Sequence, residues 1–287
     1  MSEEQGVLRA DLGDVSAVPQ VSLGKIGAIN WTKNFINKTL VITELEVRKL
    51  RHDPTELLTR AAQPALWMLV FGEVFSRVRA IPTGNLSYID FMAPGILAQS
   101  VLFVAIFYGI AIIWERDLGI IHKFLASPTP RTALVLGKAL SAGVRALSQA
   151  IIIYLLALLL HVKLSWDPVS LLGIALAVIL GAALFSTFSL IVACIVKTRE
   201  RFMGIGQILT MPLFFASNAI YPISIMPNWL KIVAQINPLT YEVDALRGMM
   251  LVGGTSVHGI FIDFVALVVS IIVLVAIGAK LYPTVAR

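Results

Sequence analysis

The sequence predicts an all-α integral membrane protein with six transmembrane helices, and three observations support this prediction. The chain of 287 residues is 57% hydrophobic and only 14% charged, with a mean hydropathy of +0.85. Its long apolar runs approach or exceed the length needed to cross a bilayer, which is about 20 residues of helix. The Lys and Arg residues are also divided unevenly between the segments that connect these runs, as is typical of membrane proteins.

Six apolar runs are the candidate spans. They cover residues 61–75, 91–114, 133–160, 169–196, 202–220 and 260–281. The first is the weakest, because it is short and contains Gln63, Pro64 and Glu73. The connecting segments are short, so we expect residues 59–287 to form one membrane domain without a soluble catalytic domain.

The distribution of basic residues predicts the orientation. With both termini in the cytoplasm, 17 of the 23 Lys and Arg residues lie inside and 5 outside, while Arg145 lies within the third run. The positive-inside rule favours this arrangement in the plasma (inner) membrane. It also accounts for the net charge of +6, so we expect no nucleic-acid partner.

The amino-terminal part is predicted to lie outside the membrane core. Residues 1–34 are polar and lack periodicity, which indicates a loosely ordered segment. Residues 35–58 interleave apolar and basic side chains, which favours an amphipathic helix on the inner leaflet, in contact with membrane lipids. An ordinary solvated helix is the alternative.

The segment ERDLGIIHKFLASPTPR, residues 115–131, interrupts the apolar pattern after the second run. In a helix, Leu118, Ile121 and Phe124 would share one apolar face, and the two prolines would end it. We therefore predict a short cytoplasmic helix over 115–126 that docks into a partner and moves the two adjoining spans. The alternative is an interfacial connector that has no partner.

The segment 221–251 is apolar but is broken by three prolines and several polar residues. The pattern predicts two short helices, 228–236 and 239–250, joined at Asn237-Pro238. We interpret them as a re-entrant hairpin on the outer side, because a broken helix at membrane depth needs protein around it. Two helices lying flat on the outer surface are the alternative. Asp244 and Arg247 are three residues apart and are predicted to pair.

The sequence lacks the motifs of several classes of enzyme and binding site. The phosphate-binding pattern G-x-x-x-x-G-K-[ST] is absent, and no hydrolase or metalloprotease motif is present. The single cysteine, Cys194, rules out a disulfide within the chain. The four histidines are scattered, so we expect no metal site, no directly bound cofactor and no enzymatic activity.

Three motifs resemble those of ABC type-2 exporter permeases. The first, E-R-[DE]-x-G followed by S/T-P and Arg, consists of Glu115, Arg116, Asp117, Gly119, Ser127, Pro128 and Arg131. The second is NPLTYEVDALRG at 237–248, and the third is QPALWMLVFGEVF at 63–75. The resemblance extends from about residue 36 to the carboxyl terminus. In pattern the chain is similar to daunorubicin-resistance and nodulation-factor export permeases, although His122 stands where those proteins usually carry Glu.

The resemblance implies a membrane subunit that works as a dimer, with a second copy or a close homologue. It also implies two separate ABC ATPase subunits, on which ATP and Mg²⁺ would bind. The expected substrate is amphipathic: a drug, a lipid or a lipid-linked molecule exported from the cytoplasm or inner leaflet. A permease for lipid-linked polysaccharide, an ATP-independent channel or carrier, and a membrane-bound scaffold remain alternatives.

The resemblance and the patterns together assign three sets of candidate site residues. Coupling to the ATPase is assigned to Glu115, Arg116, Asp117, Gly119, Ile121, His122, Lys123 and Phe124. The outer gate is assigned to Tyr221, Pro222, Asn237, Pro238, Tyr241, Asp244 and Arg247. The pathway or dimer face is assigned to Trp67, Phe71, Glu73, Phe214 and Phe215.

Overall fold

Helices account for most of the chain that the computed structural model describes, which comprises residues 62–78, 81–84, 86–119, 131–196 and 198–281. All of these residues belong to one compact unit, Asn37–Arg287. The predicted segment 1–34 and the predicted interfacial helix 35–58 lie outside the described residues. So do Ile121, His122, Lys123 and Phe124 of the predicted coupling set.

The described helices follow one another with short connections. We label them α1 (62–78), α2 (Tyr88–Asp117), α3 (Arg131–Leu159), α4 (Pro168–Ile195), α5 (Arg199–Phe215), α6 (Asn228–Ile236), α7 (Pro238–Met250) and α8 (Ile260–Leu281). The middle of α1 is a π-helical turn, Trp67–Gly72. A 3₁₀ turn, Ile223–Ile225, precedes α6.

Polar caps and prolines fix where several helices begin. The Oγ atom of Ser87 accepts the backbone N–H of Asp90 and caps α2. Asp167 caps α4, whose first residue is Pro168. Asn237 caps α7, which likewise begins with proline. These residues satisfy or remove backbone donors that a helix leaves unpaired in its first turn.

Four described helices are long and apolar enough to cross a membrane: α2, residues Val135–Leu159 of α3, α4 and α8. They correspond to the second, third, fourth and sixth predicted spans. The described part of α1 and the whole of α5 have 17 residues each, so spans at these two positions remain a prediction.

Helix α5 ends at Phe215, whereas the sequence pattern predicted a span that continues to residue 220. Pro212 near its end removes one backbone donor. Two side chains also form hydrogen bonds with the carbonyl groups at the end of the helix. Asn237 donates to the oxygens of Leu213 and Ala216, and Tyr221 donates to the oxygen of Phe215. These groups satisfy the helix end, and the chain then turns instead of continuing.

Helix α4 is the centre of the bundle, since it packs against α2, α3, α7 and α8. Its buried positions are rich in small residues, among them Ala177, Gly181, Ala182, Ala183, Ser186 and Ala193. Small side chains let helix backbones approach closely, which is how membrane helices commonly associate.

Contacts between loops define the two ends of the bundle. Leu164, after α3, forms an isolated antiparallel bridge with Leu251, after α7. The N–H of Lys163 donates to Asp90 Oδ1 in the first turn of α2 at 3.2 Å. The start of α2 and the ends of α3 and α7 therefore meet at one end. The end of α2 meets the starts of α3 and α5 at the other, as the predicted alternation of helix directions requires.

Candidate functional site

The end of α2 carries the first three predicted coupling residues, and ion pairs join it to two other helices. Glu115 forms an ion pair with Lys138 in the second turn of α3. Arg199, at the start of α5, donates to Asp117 Oδ2 at 2.8 Å. Its guanidinium group also lies 4.1 Å above the ring of Trp114. We call Trp114, Glu115, Asp117, Lys138 and Arg199 the charged junction.

The charged junction ties α2, α3 and α5 together at a single end of the bundle. Arg116 also contacts Asp117, with its Nη2 atom 3.1 Å from Oδ1. The predicted coupling residues Glu115 and Asp117 thus each join α2 to a second helix, Glu115 to α3 and Asp117 to α5.

The predicted continuous helix over 115–126 is wrong, because α2 ends at Asp117. Leu118 and Gly119 form a turn, and Gly119 has a φ of 70°. Glycine adopts this left-handed conformation without the steric cost of a side chain, so it often ends a helix. Glu115 and Asp117 thus belong to the transmembrane helix itself.

The two helices predicted for the outer hairpin are present as α6 and α7. Helix α7 packs against α2, α4 and α8, and ten of its residues are buried. Helix α6 instead exposes Trp229, Ile232, Val233 and Ile236, which lie at i, i+3, i+4 and i+7 on one face. One half of the hairpin is therefore part of the bundle, and the other half presents an apolar stripe.

Asn237 holds the break between these two helices. Its Oδ1 atom accepts the N–H of Leu239 at 3.0 Å. Its Nδ2 atom donates to the oxygens of Leu213 at 2.7 Å and Ala216 at 3.1 Å. One side chain thus caps α7 and satisfies the end of α5, so Asn237 joins the hairpin to a neighbouring helix.

Arg247 is buried and makes no direct pair with Asp244, so the predicted ion pair is wrong. Its Nη2 atom donates to the oxygen of Asn218 at 2.7 Å and to that of Phe91 at 3.3 Å. Its guanidinium group also lies 3.9 Å above the Phe91 ring. The close carbonyl groups and the aromatic face draw the cation towards the start of α2 and the end of α5.

Asp244 turns towards the loop between α7 and α8. Its Oδ2 atom accepts the backbone N–H groups of Val257 at 2.7 Å and His258 at 3.0 Å. The side chain of Ser256 also reaches the same oxygen. Asp244 therefore fastens the loop to the buried helix.

The remaining predicted gate residues surround the hairpin. The hydroxyl of Tyr241 donates to the oxygen of Gln235 at 2.7 Å and links α7 to α6. Tyr221 bonds to the end of α5, and Pro222 begins the turn that leads to α6. Pro238 is the first residue of α7. The predicted gate set is thus brought together around the connection from α5 to α7.

Glu242 is a buried acid of α7 that the sequence analysis did not assign to the site. It is fully buried, and neither carboxyl oxygen has a hydrogen-bond partner among the described residues. The group lies against Gly181 of α4, where an added Cβ atom would collide with it. An unpartnered buried charge is costly, so this environment favours the neutral acid.

The predicted pathway residues form a row of aromatic rings along α1 and the end of α5. Trp67 stacks on Phe71 with centroids 4.4 Å apart, and its ring meets Phe214 and Phe215 edge-on at 6.0 and 6.3 Å. Phe71 continues the row to Phe75. Glu73 is exposed on the same helix and pairs with Arg77 at 2.8 Å.

A cavity of about 360 Å³ lies between α1, α2 and α3. Its lining residues are Gln63, Pro64, Ser100, Phe103, Val104, Phe107 and Gln149. Gln149 is fully buried, and neither its amide oxygen nor its amide nitrogen has a partner among the described residues. The cavity therefore combines two phenylalanine rings with an unsatisfied neutral donor and acceptor.

Comparisons with known proteins agree with this architecture. Residues 37–251 match the model of the ABC-2 type transporter family. A protein named "Putative transport permease ycf38" from Cyanophora paradoxa is 28% identical over 220 residues, which cover 74% of each chain. The daunorubicin resistance ABC transporter permease protein DrrB1 from Streptomyces coeruleorubidus is 23% identical over 215 residues and 75% of each chain.

A third relative covers more of the sequence. The "Probable doxorubicin resistance ABC transporter permease protein DrrC" from Mycobacterium tuberculosis is 24% identical over 234 residues, or 79% of this chain and 82% of that protein. The family match spans three quarters of the sequence and includes the charged junction, the aromatic row and the outer hairpin. This chain therefore belongs to the ABC-2 type transporter family of membrane permeases.

Proposed function

We propose that this chain is the transmembrane subunit of an ABC exporter that moves an amphipathic molecule out of the cytoplasm or the inner leaflet. A separate ATPase subunit, present in two copies, would drive it. The charged junction carries this proposal. It joins three helices directly before residues 120–130, the segment to which we assign the contact with the ATPase.

The mechanism follows from how the junction is built. The ion pairs Glu115–Lys138 and Asp117–Arg199 join α2 to both α3 and α5. Closure of the ATPase would displace the segment after Asp117, and the pairs would make α2, α3 and α5 move together. At the other end, Asn237 links α5 to the outer hairpin, so the same displacement would reach the proposed outer gate.

The cavity between α1, α2 and α3 supports an amphipathic substrate. Phe103 and Phe107 can contact an apolar body, while the amide of Gln149 can bind a neutral polar group. Its volume of about 360 Å³ is at the lower end of the range for small-molecule sites. The names of the drug-resistance relatives are consistent with this substrate class.

The complete pathway is proposed to need two copies of this chain, or one copy and a close homologue. Helices α1 and α5 form the proposed shared face. Helix α1 exposes Leu66 and Val70 beside the aromatic row, and α5 exposes Met203 and Ile208. We further propose that α1 and α5 cross the inner membrane as the first and fifth of six spans, with both termini in the cytoplasm.

Export of a lipid-linked glycan is the second candidate, and the aromatic row favours it. Rings in sequence along a helix can stack on sugar faces as a glycan passes. In this reading the row from Trp67 to Phe75 would lie on the pathway, not within the dimer contact.

Reconstitution would test the proposal and separate these two substrates. The chain is co-expressed with candidate ABC ATPase subunits from the same genome, and the complex is purified and placed in liposomes. We expect ATP-dependent transport of a fluorescent anthracycline, with ATPase activity that the drug stimulates. Stimulation by a lipid-linked oligosaccharide alone would favour the second candidate. Failure of any ATPase to co-purify would contradict both.

A further inference from the structure

Three side chains of the types that bind metal ions meet beside the outer end of α8. Asp244 comes from α7, His258 from the loop after it, and Asp263 from the first turn of α8. His258 Nδ1 lies 3.1 Å from Asp244 Oδ2 and 4.0 Å from Asp263 Oδ1. One ligand atom from each residue lies within 4.8 Å of the other two.

The two carboxyl groups create a need for positive charge. Asp244 and Asp263 are both fully buried, and Asp263 Oδ1 has no hydrogen-bond partner among the described residues. The Oγ atom of Ser256 lies within hydrogen-bond distance of both carboxylates, but its single proton can serve only one of them at a time. Adjacent buried carboxylates are stable only when a cation or a proton compensates them.

Arg247 does not supply that charge by direct contact. Its guanidinium group donates to the oxygens of Asn218 and Phe91 and lies over the Phe91 ring. Among the described residues, the side chain near both acids that can carry a positive charge is His258, whose Nδ1 atom lies 3.1 Å from Asp244 and 4.0 Å from Asp263. The imidazole of histidine is also the commonest metal ligand in proteins.

We propose that Asp244, His258 and Asp263 bind a divalent transition-metal ion of the zinc type. Zinc bonds to histidine nitrogen and carboxylate oxygen are about 2.0–2.2 Å long, so neighbouring ligand atoms of a tetrahedral site lie about 3.4 Å apart. The separations of 3.1 and 4.0 Å from His258 Nδ1 lie on either side of that value, and the ligand atoms of the two carboxylates lie within 4.8 Å of each other. A water molecule or the Ser256 hydroxyl can complete the coordination.

The donor set selects among cations. Mg²⁺ and Ca²⁺ prefer sites built from oxygen alone, whereas an imidazole nitrogen favours zinc and its neighbours in the transition series. The surroundings also hold the ligands in place. The backbone N–H groups of Val257 and His258 bind Asp244, and Asn218 Nδ2 lies 3.4 Å from its other oxygen. His258 is 24% exposed, so an ion can enter from the outer side.

A bound ion would join α7, the loop after it and α8 through three ligands. The site would therefore fix the buried half of the outer hairpin to the last span. This inference goes beyond the proposed export function, because metal binding at these residues does not depend on which substrate the protein moves.

Calorimetry on the intact chain tests the proposal directly. The protein is purified in detergent, freed of any histidine tag, treated with a chelator and dialysed, and then titrated with ZnCl₂. We expect one Zn²⁺ per chain, a higher melting temperature with zinc, and no comparable response to MgCl₂. The His258→Ala variant is expected to bind zinc at least about tenfold more weakly.

The matched control is His161→Ala, because His161 is an exposed histidine in the loop between α3 and α4. It should retain wild-type zinc affinity. Asp263→Asn is a second test variant and should also bind zinc more weakly than the wild type. If Asp263→Asn does not fold, the Co²⁺ absorption spectrum of the wild type is compared with that of His258→Ala, which should lack the bands of the bound ion. The proposal is overturned if the wild type takes up no stoichiometric zinc, or if His258→Ala binds zinc as tightly as the wild type.

Discussion

Arg199 and Asp117 form an ion pair that joins the start of α5 to the end of α2, with Arg199 Nη2 at 2.8 Å from Asp117 Oδ2. The side chains are 39% and 38% exposed, so the pair adds little to stability. Exposed ion pairs contribute about 0–1 kcal/mol. The role that we propose for it at the charged junction is to transmit motion between α2 and α5.

Removal of this pair should separate transport from stability. We expect Asp117→Ala to lower ATP-driven transport several-fold in proteoliposomes, while the melting temperature falls by no more than about 4 °C. The control is Glu200→Ala, which removes an exposed acid from the same turn of α5. Wild-type transport by Asp117→Ala would contradict the coupling role of the junction.

The stability of the protein should depend on the amide group of Asn237 more than on the size of its side chain. Its Oδ1 atom caps α7, and its Nδ2 atom donates to two carbonyl groups of the preceding segment. Asn237→Asp keeps the cap but places a carboxylate oxygen against two carbonyl oxygens. We therefore expect Asn237→Asp to destabilise the protein by at least as much as Asn237→Ala.

The measurement for Asn237 is thermal unfolding in detergent, together with substrate leakage from liposomes in the absence of ATP. Loss of buried hydrogen-bond partners costs about 1–3 kcal/mol. If the hairpin closes the outer end, both variants should also leak. An Asn237→Asp protein with wild-type stability would show that the two donated hydrogen bonds are not needed.

Gly181 should not tolerate a side chain. A Cβ atom at this position would collide with the carboxyl group of Glu242, and both groups are enclosed between α4 and α7. We expect Gly181→Ala to destabilise the protein by about 1–3 kcal/mol, the usual cost of overpacking a core. Fluorescence-detected thermal unfolding of the solubilised protein measures the change.

Gly204 provides the matched control for this prediction. It lies in α5, and apart from its own helix backbone no atom of the described residues lies within 4 Å of a Cβ added there, so Gly204→Ala should be neutral or slightly stabilising. The double variant Gly181→Ala with Glu242→Ala should recover part of the lost stability, because it removes the group with which the methyl collides. Equal stability of Gly181→Ala and wild type would mean that the close contact is absent.

Residues that begin or end helices, together with the apolar runs, made part of this structure predictable from the sequence. The bounds of α6, Asn228–Ile236, follow from Pro227 before it and from Asn237-Pro238 after it. The apolar runs likewise predicted α2, α3, α4 and α8. In each case the signal lies within the helix or next to it, so no knowledge of tertiary packing was needed.

Features that depend on packing were not predictable. His258 is fourteen positions from Asp244, and only the loop after α7 brings them together with Asp263. The burial of Glu242 depends on a glycine in α4, about sixty positions earlier. The predicted helix over 115–126 failed for a different reason, because its apolar periodicity concealed the turn at Gly119.

Single cysteines can identify the surface between two copies. In a Cys194→Ser background, we expect Val70→Cys on α1 and Ile208→Cys on α5 to form crosslinked dimers in native membranes. Both positions are exposed, at 51% and 70%. The control is Ile151→Cys on α3, which is 63% exposed but lies outside the proposed shared face. Equal crosslinking at Ile151, or none in a transport-competent preparation, would contradict the assignment.

Thiol labelling can decide whether the outer hairpin re-enters or crosses the membrane. Helix α7 has 13 residues and α6 has nine, so at 1.5 Å per residue they are about 20 and 14 Å long. Neither spans a hydrocarbon core of about 30 Å alone, and the break at Asn237 prevents one straight helix. We therefore expect both ends of the segment to face the outer side.

The labelling positions are Asn228→Cys, at the start of α6, and Thr255→Cys, after α7, both of which are exposed. In right-side-out vesicles an impermeant maleimide should modify both cysteines, because the segment enters and leaves on the same side. Glu200→Cys, next to Arg199 of the charged junction, is the control and should react only after the vesicles are opened. Labelling of only one of the two hairpin positions would mean that the segment crosses the membrane, which would give the chain another span and reverse the orientation of α8.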